Sequence, residues 1–272
     1  MSDPAGRAGK DAAPDGDGQP VRYSVAGGVA TLTMNQPHNR NALTPALLSG
    51  LATGLDAALA DDGARVIVLT HAGPAFCAGA DLSAGRNAAS AARPSLADVL
   101  AGIQDAPKPV LARIAGHCLG GGVGLAAACD LSVAADTAWF GFTEVRVGVA
   151  PAIISVVCLP KLRRADALEL FLSGERISAG RAAEAGLISR AVPPEQLDAA
   201  VGALTGKLMA GGPSALAAAK QLVYEVPGMA RAAAFARTTG LSQSLFASAE
   251  AAEGMAAFRE KRAPSWAPPG QP

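Results

Sequence analysis

Two glycine-rich turns and one glutamate are the residues of this chain whose types and spacing could do chemistry. The first turn reads Ala75-Phe76-Cys77-Ala78-Gly79-Ala80-Asp81-Leu82. The second reads Ala115-Gly116-His117-Cys118-Leu119-Gly120-Gly121-Gly122-Val123-Gly124. Each follows a β-branched apolar run, Val66–Thr70 and Val110–Ile114, and the second leads into a helix-like stretch, Leu125–Cys129. Glycines 120 to 122 leave their amides unscreened by side chains, so a ligand can come close. The following helix brings its positive end to the same spot. Two such turns at the ends of parallel strands would aim N–H groups at one point. Acyl transfer and enolate formation need that geometry to hold a developing oxyanion. The glutamate closes Phe140-Gly141-Phe142-Thr143-Glu144, predicted as the end of a short aromatic strand. Among Val145, Val147 and Val149 its carboxyl would be partly desolvated, which raises a carboxyl pKa toward the range useful for proton transfer.

Taken singly, these pieces stay open. Gly120–Gly122 also suits a plain strand-to-helix turn, and Glu144 also suits a solvated or salt-bridged position. Gly122-Val123-Gly124-Leu125-Ala126-Ala127 fits the dinucleotide pattern G-x-G-x-x-A, with Glu144 at roughly the distance of the acidic residue that pattern needs. Against it, two strand-like pieces intervene and the motif sits mid-chain. No Lys-Ser/Thr follows the glycines, so a phosphate loop of the P-loop type is absent.

The elements that must position these groups alternate strand and helix. Val21–Val25 and Val29–Met34 flank Gly27-Gly28, a hairpin signal. Thr44 and Pro45 read as N-cap and first residue of a helix continued by Ala46–Ala60. Val66–Thr70 reads as a strand covered on both faces, Ser95–Gln104 as a helix and Lys108–Ala115 as the next strand. Strand-like and helix-like pieces then alternate to Val192: Leu131–Ala134, Trp139–Phe142, Ile153–Leu162, Ala165–Leu172 and Ser178–Gly186. From Glu195 onward only helices are expected: Glu195–Met209, Ser214–Tyr224, Met229–Phe246 and Glu250–Lys261. The fold class is therefore α/β followed by all-α. The expected division is a disordered tail over residues 1–20, a core with the site over 21–210, and a helical region over 211–272, broken by Gly211-Gly212-Pro213. Arg86–Arg93 has no periodicity and is expected to be a mobile loop shaping the pocket.

Bulk properties exclude several function classes. At 272 residues, half of them apolar and 17% charged, the chain is expected to fold around a large core. Acidic and basic residues balance at 23 each, which points away from nucleic acid and anionic membranes. Aromatics at 4% give no platform for stacking bases. Cys77, Cys118, Cys129 and Cys158 form no C-x-x-C pair and read as buried free thiols of a reducing compartment, so a cytoplasmic location is expected. The N-terminus has no apolar signal core, and no run is long enough to span a bilayer. No His, Cys or carboxylate spacing suggests a metal. His117 is expected to pack or make a loop hydrogen bond. Cys118 lacks a partnered His and is not read as a nucleophile. Asp81 and Asp130 are expected to bond backbone amides near the turns.

The three pieces, in this order and spacing, resemble the crotonase superfamily, the enoyl-CoA hydratase/isomerase family. Supporting motifs are Asn41-Ala42-Leu43, Ala127-Ala128-Cys129-Asp130, Leu172-Ser173-Gly174, Ala182–Leu187, and the run from Glu253 to Arg262. The resemblance covers about Val21 to Trp266. It implies a spiral of ββα turns, a C-terminal helical trimerisation region, and a homo-oligomer that is a trimer or a dimer of trimers. It also implies an acyl-CoA thioester substrate, with coenzyme A as part of that substrate and no separate cofactor. By residue-for-residue match it places the two oxyanion donors at the Ala80 and Gly121 N–H groups. Ala78, Asp81, Leu82 and Gly120 lie beside them against the substrate. Phe258 and Lys261 match positions where a neighbouring subunit touches coenzyme A.

Hydratases of this family usually carry two catalytic glutamates. One matches Glu144; the other would fall at position 124, where this chain has Gly124. Single-glutamate relatives include isomerases that shuttle a proton between carbons 2 and 4. The stretch Thr143–Ser155 resembles bacterial 3-methylglutaconyl-CoA-type hydratases, in which case Arg146 could pair with a distal substrate carboxylate; the other reading of Arg146 is a structural or interface salt bridge. The expectation is an enoyl-CoA hydratase acting through Glu144, Ala80 and Gly121. Its alternatives are a 3-methylglutaconyl-CoA-type hydratase, a 3-enoyl to 2-enoyl isomerase, or a weakly catalytic acyl-CoA-binding homologue.

Overall fold

The computed structural model describes residues 18–81 and 93–267. Most of the expected tail, Leu82 and nearly all of the 86–93 loop lie outside these residues. The chain opens with an antiparallel hairpin, β1 (Val21–Ala26) and β2 (Val29–Met34), in register from Val21↔Met34 to Ala26↔Val29. A helix, α1 (Pro45–Ala60), follows as its cap residues dictate: the Thr44 hydroxyl accepts from the Leu47 N–H at 3.1 Å, and Pro45 fills the first turn, where its missing N–H costs nothing.

Next come three strand pairs. They are β3 (Val66–His71) with β4 (Ala75–Cys77), β5 (Val110–Ile114) with β6 (His117–Leu119), and β7 (Leu131–Ala135) with β8 (Trp139–Gly141). The first is followed by α2 (Leu96–Asp105), the second by α3 (Gly121–Ala128), and the third by a 3-10 turn and then α4 (Ala152–Cys158). Each pair gives its first strand to a six-stranded sheet, ordered β1-β2-β3-β5-β7-β10, and its second to a smaller sheet, ordered β4-β6-β8-β9. The chain is thus the ββα spiral expected. It continues through α5 (Arg164–Ser173), β9 (Ile177–Ser178), α6 (Ala179–Glu184) and β10 (Arg190–Val192). From β2 onward the large sheet is parallel, which is why β3 is buried along its whole length and reads as an unbroken apolar run.

Both faces of that sheet are covered. Ile67 and Leu69 point into the main core with Leu47, Leu51, Phe76 and Leu125, while Val68, Leu111 and Val133 point the other way. The second face is closed by α7 (Leu197–Met209), whose Leu197, Val201 and Leu204 recur at helical spacing. In the small sheet, the sequence anticipates β8, within Trp139–Phe142, but not the strands in the glycine-rich turns. The first two strands of that sheet are three residues long and lie inside those turns, too short to show alternation.

The helical C-terminal region comprises α8 (Pro213–Glu225), α9 (Arg231–Phe246) and α10 (Ala249–Glu260), and no strand is described beyond β10. Two devices fix it to the core. Lys220 of α8 pairs with Asp130 at 2.9 Å and donates to the Ile103 carbonyl. Arg65, at the entrance to β3, donates to the carbonyls of Gly211 and Trp266. The Glu250 carboxylate accepts from the first N–H groups of α8, Ser214 and Ala215, and so caps that helix. By contrast, α9 buries none of its residues, and Phe235, Phe246 and Phe258 stand in solvent.

Candidate active site

A cavity of about 940 Å³ opens where the two glycine turns meet. The first turn leaves β4. The Ala78 N–H donates to the Arg40 carbonyl at 3.0 Å, the Gly79 carbonyl accepts from Leu43 N–H at 2.8 Å, and Ala80 bridges Leu43 as a parallel partner. Gly79 has φ +91°, a conformation that only glycine holds without strain. Asn41, fully buried, pins this turn. Its amide donates to the Ala72 and Ala75 carbonyls and its oxygen accepts from the Gln36 N–H. The Asn41-Ala42-Leu43 motif is therefore a brace for the first glycine turn, a role that its sequence alone did not disclose.

The second turn leaves β6. Gly120 has φ +54° and ψ −127° and donates to the Gly141 carbonyl at 2.9 Å. The helix α3 begins at once with Gly121, four residues earlier than the sequence suggests, so glycines 121, 122 and 124 lie within the helix. The two turns touch. A Cβ added to Gly79 would lie 3.5 Å from Gly120 Cα and 3.6 Å from the Gly121 nitrogen. The Ala80 and Gly121 N–H groups have no acceptor among the described residues. The first N–H groups of a helix are always left without an intrahelical partner, which explains Gly121.

Glu144 meets the same place. It lies not at the end of a strand, as expected, but in a one-turn 3-10 helix, Thr143–Val147, that follows β8 and closes on Gly148 in the left-handed conformation. Phe142 anchors this turn by packing on Phe171, with ring centroids 4.3 Å apart. One carboxylate oxygen, Oε1, sits 3.3 Å from where a Gly120 Cβ would be, so a side chain at that position would crowd the carboxylate. The other, Oε2, is buried without a hydrogen-bond partner among the described residues. Burial pushes the Glu144 pKa up, offset in part by the hydrogen bond from its own backbone. A half-buried carboxyl with an orphaned oxygen is poised to exchange a proton with something in the cavity.

Position 124, where a second carboxylate would stand, is filled from outside. A Cβ on Gly124 would come within 2.3 Å of Ile154 Cγ2 and 2.9 Å of Ile154 Cβ. Helix α4 thus lays Ile154 over Gly124 and faces the cavity with an apolar side chain instead. The dinucleotide reading of these glycines fails on the same ground: Gly122 is packed against Cys77 and Gly124 against Ile154.

Ala78, Ala80, Gly120, Gly121, Glu144 and Arg146 all line the cavity. Asp81 is not among its described lining residues, and Leu82 falls outside the described residues. Arg146 is committed to structure. Its Nε and Nη2 donate to the Gly174 and Ser173 carbonyls at the end of α5, so its partners are carbonyls and not the carboxylate of a salt bridge. Phe258 and Lys261 do not line this cavity. Phe258 is 86% exposed, and α10 is clasped near Arg65, at the start of β3, while the cavity lies beyond that strand's end.

The remaining candidates take structural roles. His117 Nδ1 accepts from the Trp139 N–H. Asp130 accepts from the Val110 N–H and pairs with Lys220. The four thiols are buried and free, and burial pushes the Cys118 thiol well above its usual range, which removes it as a nucleophile. Among residues the sequence reading passed over, Leu43, Leu96, Ile154, Arg40 and Arg176 also line the cavity. No helix is long and apolar enough to cross a membrane among the described residues.

Comparison with known proteins bears on the family and the fold. A family model described as enoyl-CoA hydratase/isomerase matches residues 24–269. The 2,3-dehydroadipyl-CoA hydratase of Escherichia coli (strain K12) is 35% identical over 241 residues, covering 88% of this chain and 94% of the relative. A crystal structure of an enoyl-CoA hydratase from Mycobacterium smegmatis superposes with a TM-score of 0.85 at 33% identity, covering 91% of this chain and 98% of that one. One from Mycobacterium avium is 43% identical with a TM-score of 0.70, covering 91% and 98%. With a ββα spiral, two abutting glycine turns and a half-buried glutamate in one cavity, the chain belongs to the enoyl-CoA hydratase/isomerase family, the crotonase superfamily.

Proposed function

We propose that the protein adds water across the 2,3 double bond of an enoyl-CoA thioester. The observation that carries this reading is the Glu144 carboxylate in the space that a side chain on Gly120 would crowd, beside two main-chain N–H donors that have no other acceptor among the described residues. With the thioester oxygen on the Ala80 and Gly121 N–H groups, water oxygen bonds to carbon 3 and its proton passes to Glu144. The π electrons move onto the thioester oxygen as an enolate, where each main-chain donor is worth about 3 kcal/mol of barrier. Glu144 then returns the proton to carbon 2. Because the carboxyl pKa is raised, the same group serves as base and as acid in turn.

Ile154 favours a second reading. It replaces a polar partner for water by an apolar wall, and a held water needs two to four polar contacts. Without that water, Glu144 would move a proton from carbon 2 to carbon 4 of a 3-enoyl-CoA, or the reverse, as an isomerase. The name of the E. coli relative, a 2,3-dehydroadipyl-CoA hydratase, and the resemblance to 3-methylglutaconyl-CoA hydratases both point to substrates with a second carboxylate. Arg146 remains the sequence-based candidate to hold it, with two of its donors already engaged.

The same reading makes the protein a homo-oligomer, a trimer or dimer of trimers. Exposed apolar residues on α9 and α10 supply surface for it, and a neighbour could then bring Phe258 and Lys261 to coenzyme A. It requires no metal or separate cofactor. We place the protein in the cytoplasm, in keeping with four unbridged thiols. The test is to incubate the wild type and Glu144→Ala with crotonyl-CoA, 3-hexenoyl-CoA and 3-methylglutaconyl-CoA. Loss of the enoyl-thioester ultraviolet absorbance marks hydration, and its gain from 3-hexenoyl-CoA marks isomerisation. Glu144→Ala should slow turnover by about 100- to 10,000-fold. Binding without turnover of any of the three would contradict both readings and favour a weakly catalytic acyl-CoA-binding protein.

A further inference from the structure

The cavity is lined by a further cation, Arg176, that the proposed reaction does not use. Arg176 immediately precedes the short strand β9, and Phe140↔Ile177 pairs β8 with β9 in antiparallel register, so extending that register by one residue sets Gly141 opposite Arg176. Leu119, the residue before the oxyanion turn, pairs with the same Gly141 from the other side. Leu119, Gly141 and Arg176 therefore form one row from β6 across β8 to the residue that enters β9, and two strand spacings of about 4.8 Å separate the ends of the row. The middle of the row has no side chain. A Cβ on Gly141 would lie 3.5 Å from Leu119 Cδ2 and 3.5 Å from Arg176 Cα. Arg176 lines the same cavity as Glu144.

Unlike Arg146, Arg176 is uncommitted: no hydrogen bond or ion pair engages its guanidinium among the described residues, and Glu175 beside it forms no ion pair with it. Arg40, whose carbonyl accepts from the Ala78 N–H, lines this cavity together with Glu144, Arg146, Gly174 and Arg176. We propose that Arg176 is the specificity-determining residue for an acyl group that ends in a carboxylate, held by the guanidinium within this cavity. This rests on the acyl-CoA reading above and names its substrate class. The anion at Arg176 belongs to the acyl chain and not to coenzyme A, because the whole pantetheine arm separates the thioester from the first phosphate. Arg176 lies only two strands from the turn. An arginine meets a carboxylate with two parallel N–H donors, which a chain ending in a methyl group cannot use.

The test uses saturated thioesters, which cannot be hydrated, so it does not depend on which reaction Glu144 performs. Full-length protein is titrated calorimetrically with adipoyl-CoA and hexanoyl-CoA, equal in chain length and different in the terminal carboxylate. Adipoyl-CoA should bind tighter by about tenfold or more, the range of a hydrogen bond to a charged group. Arg176→Ala should bring the two affinities together, and Arg176→Lys should keep part of the preference. Equal affinities in the wild type, or a preference unchanged in Arg176→Ala, would overturn the assignment while leaving the acyl-CoA reading intact. Equal weakening of both ligands by Arg176→Ala would overturn it in favour of a contact with coenzyme A. Failure of both ligands to bind would bring down the acyl-CoA reading and this assignment with it.

Discussion

The cavity has two unlike walls. The glycine wall, formed by Ala78–Ala80 and Gly120–Gly124, does its work with backbone and with the absence of side chains. The opposite wall, from Thr143 to Ile154 and on to Arg176, does its work with side chains on a short 3-10 turn and a strand end. The first is locked into the core: Gly121, Gly122 and Gly124 are buried, and an added Cβ at each would lie under 3 Å from a neighbour. The second is half open, and one of its carboxylate oxygens is buried without a partner. The difference teaches that a substitution on the glycine wall acts on folding and chemistry together, whereas one at Glu144 acts on chemistry with the fold kept.

The largest effect that would break this contrast is at position 124. Gly124→Glu drives a side chain into Ile154 and puts a charge in the core, so it should cost at least about 3 kcal/mol and show a lowered Tm and denaturant midpoint. Adding Ile154→Ala should recover at least about 1 kcal/mol of that loss, since the two sites share one space. Additive losses in the double variant would show that Ile154 is not what excludes a carboxylate there.

A smaller effect concerns Glu144 itself. Its folded pKa lies above its unfolded value because burial disfavours the ionised form. The folded state therefore binds more protons than the unfolded state between those two values, so the carboxylate lowers stability as pH rises through that window. Below the unfolded pKa the cost disappears. Glu144→Gln should accordingly match or exceed the wild-type Tm at neutral pH, with the gap closing in acid. A Glu144→Gln Tm below wild type at neutral pH would show that the carboxylate stabilises the fold, and the contrast between the walls would fail.

The legibility of the sequence divides along the same line. Val29–Met34 and the Thr44-Pro45 helix start were readable because hydrophobic alternation and capping chemistry act within a few residues. The glycine turns were readable because a positive φ at Gly79 and Gly120 and close packing at Gly121 leave glycine as the fitting residue. What could not be read depends on partners far along the chain. Ala75–Cys77 and His117–Leu119 become strands only by pairing with each other and with β8. Ile154 fills the room at Gly124 from thirty residues away, and Arg146 spends its donors on the end of α5. Gly141 clears a row toward Arg176 that no local pattern announces.

The central claim is that the Ala80 and Gly121 N–H groups converge on one thioester oxygen. It is tested most directly by infrared spectroscopy of hexanoyl-CoA labelled with carbon-13 at the thioester carbonyl, free and bound to the full-length protein. Two hydrogen bonds to the oxygen weaken the C=O bond, so its stretch should move to lower frequency on binding. A bound carbonyl that absorbs at the frequency of the free thioester in water, or higher, would contradict the account.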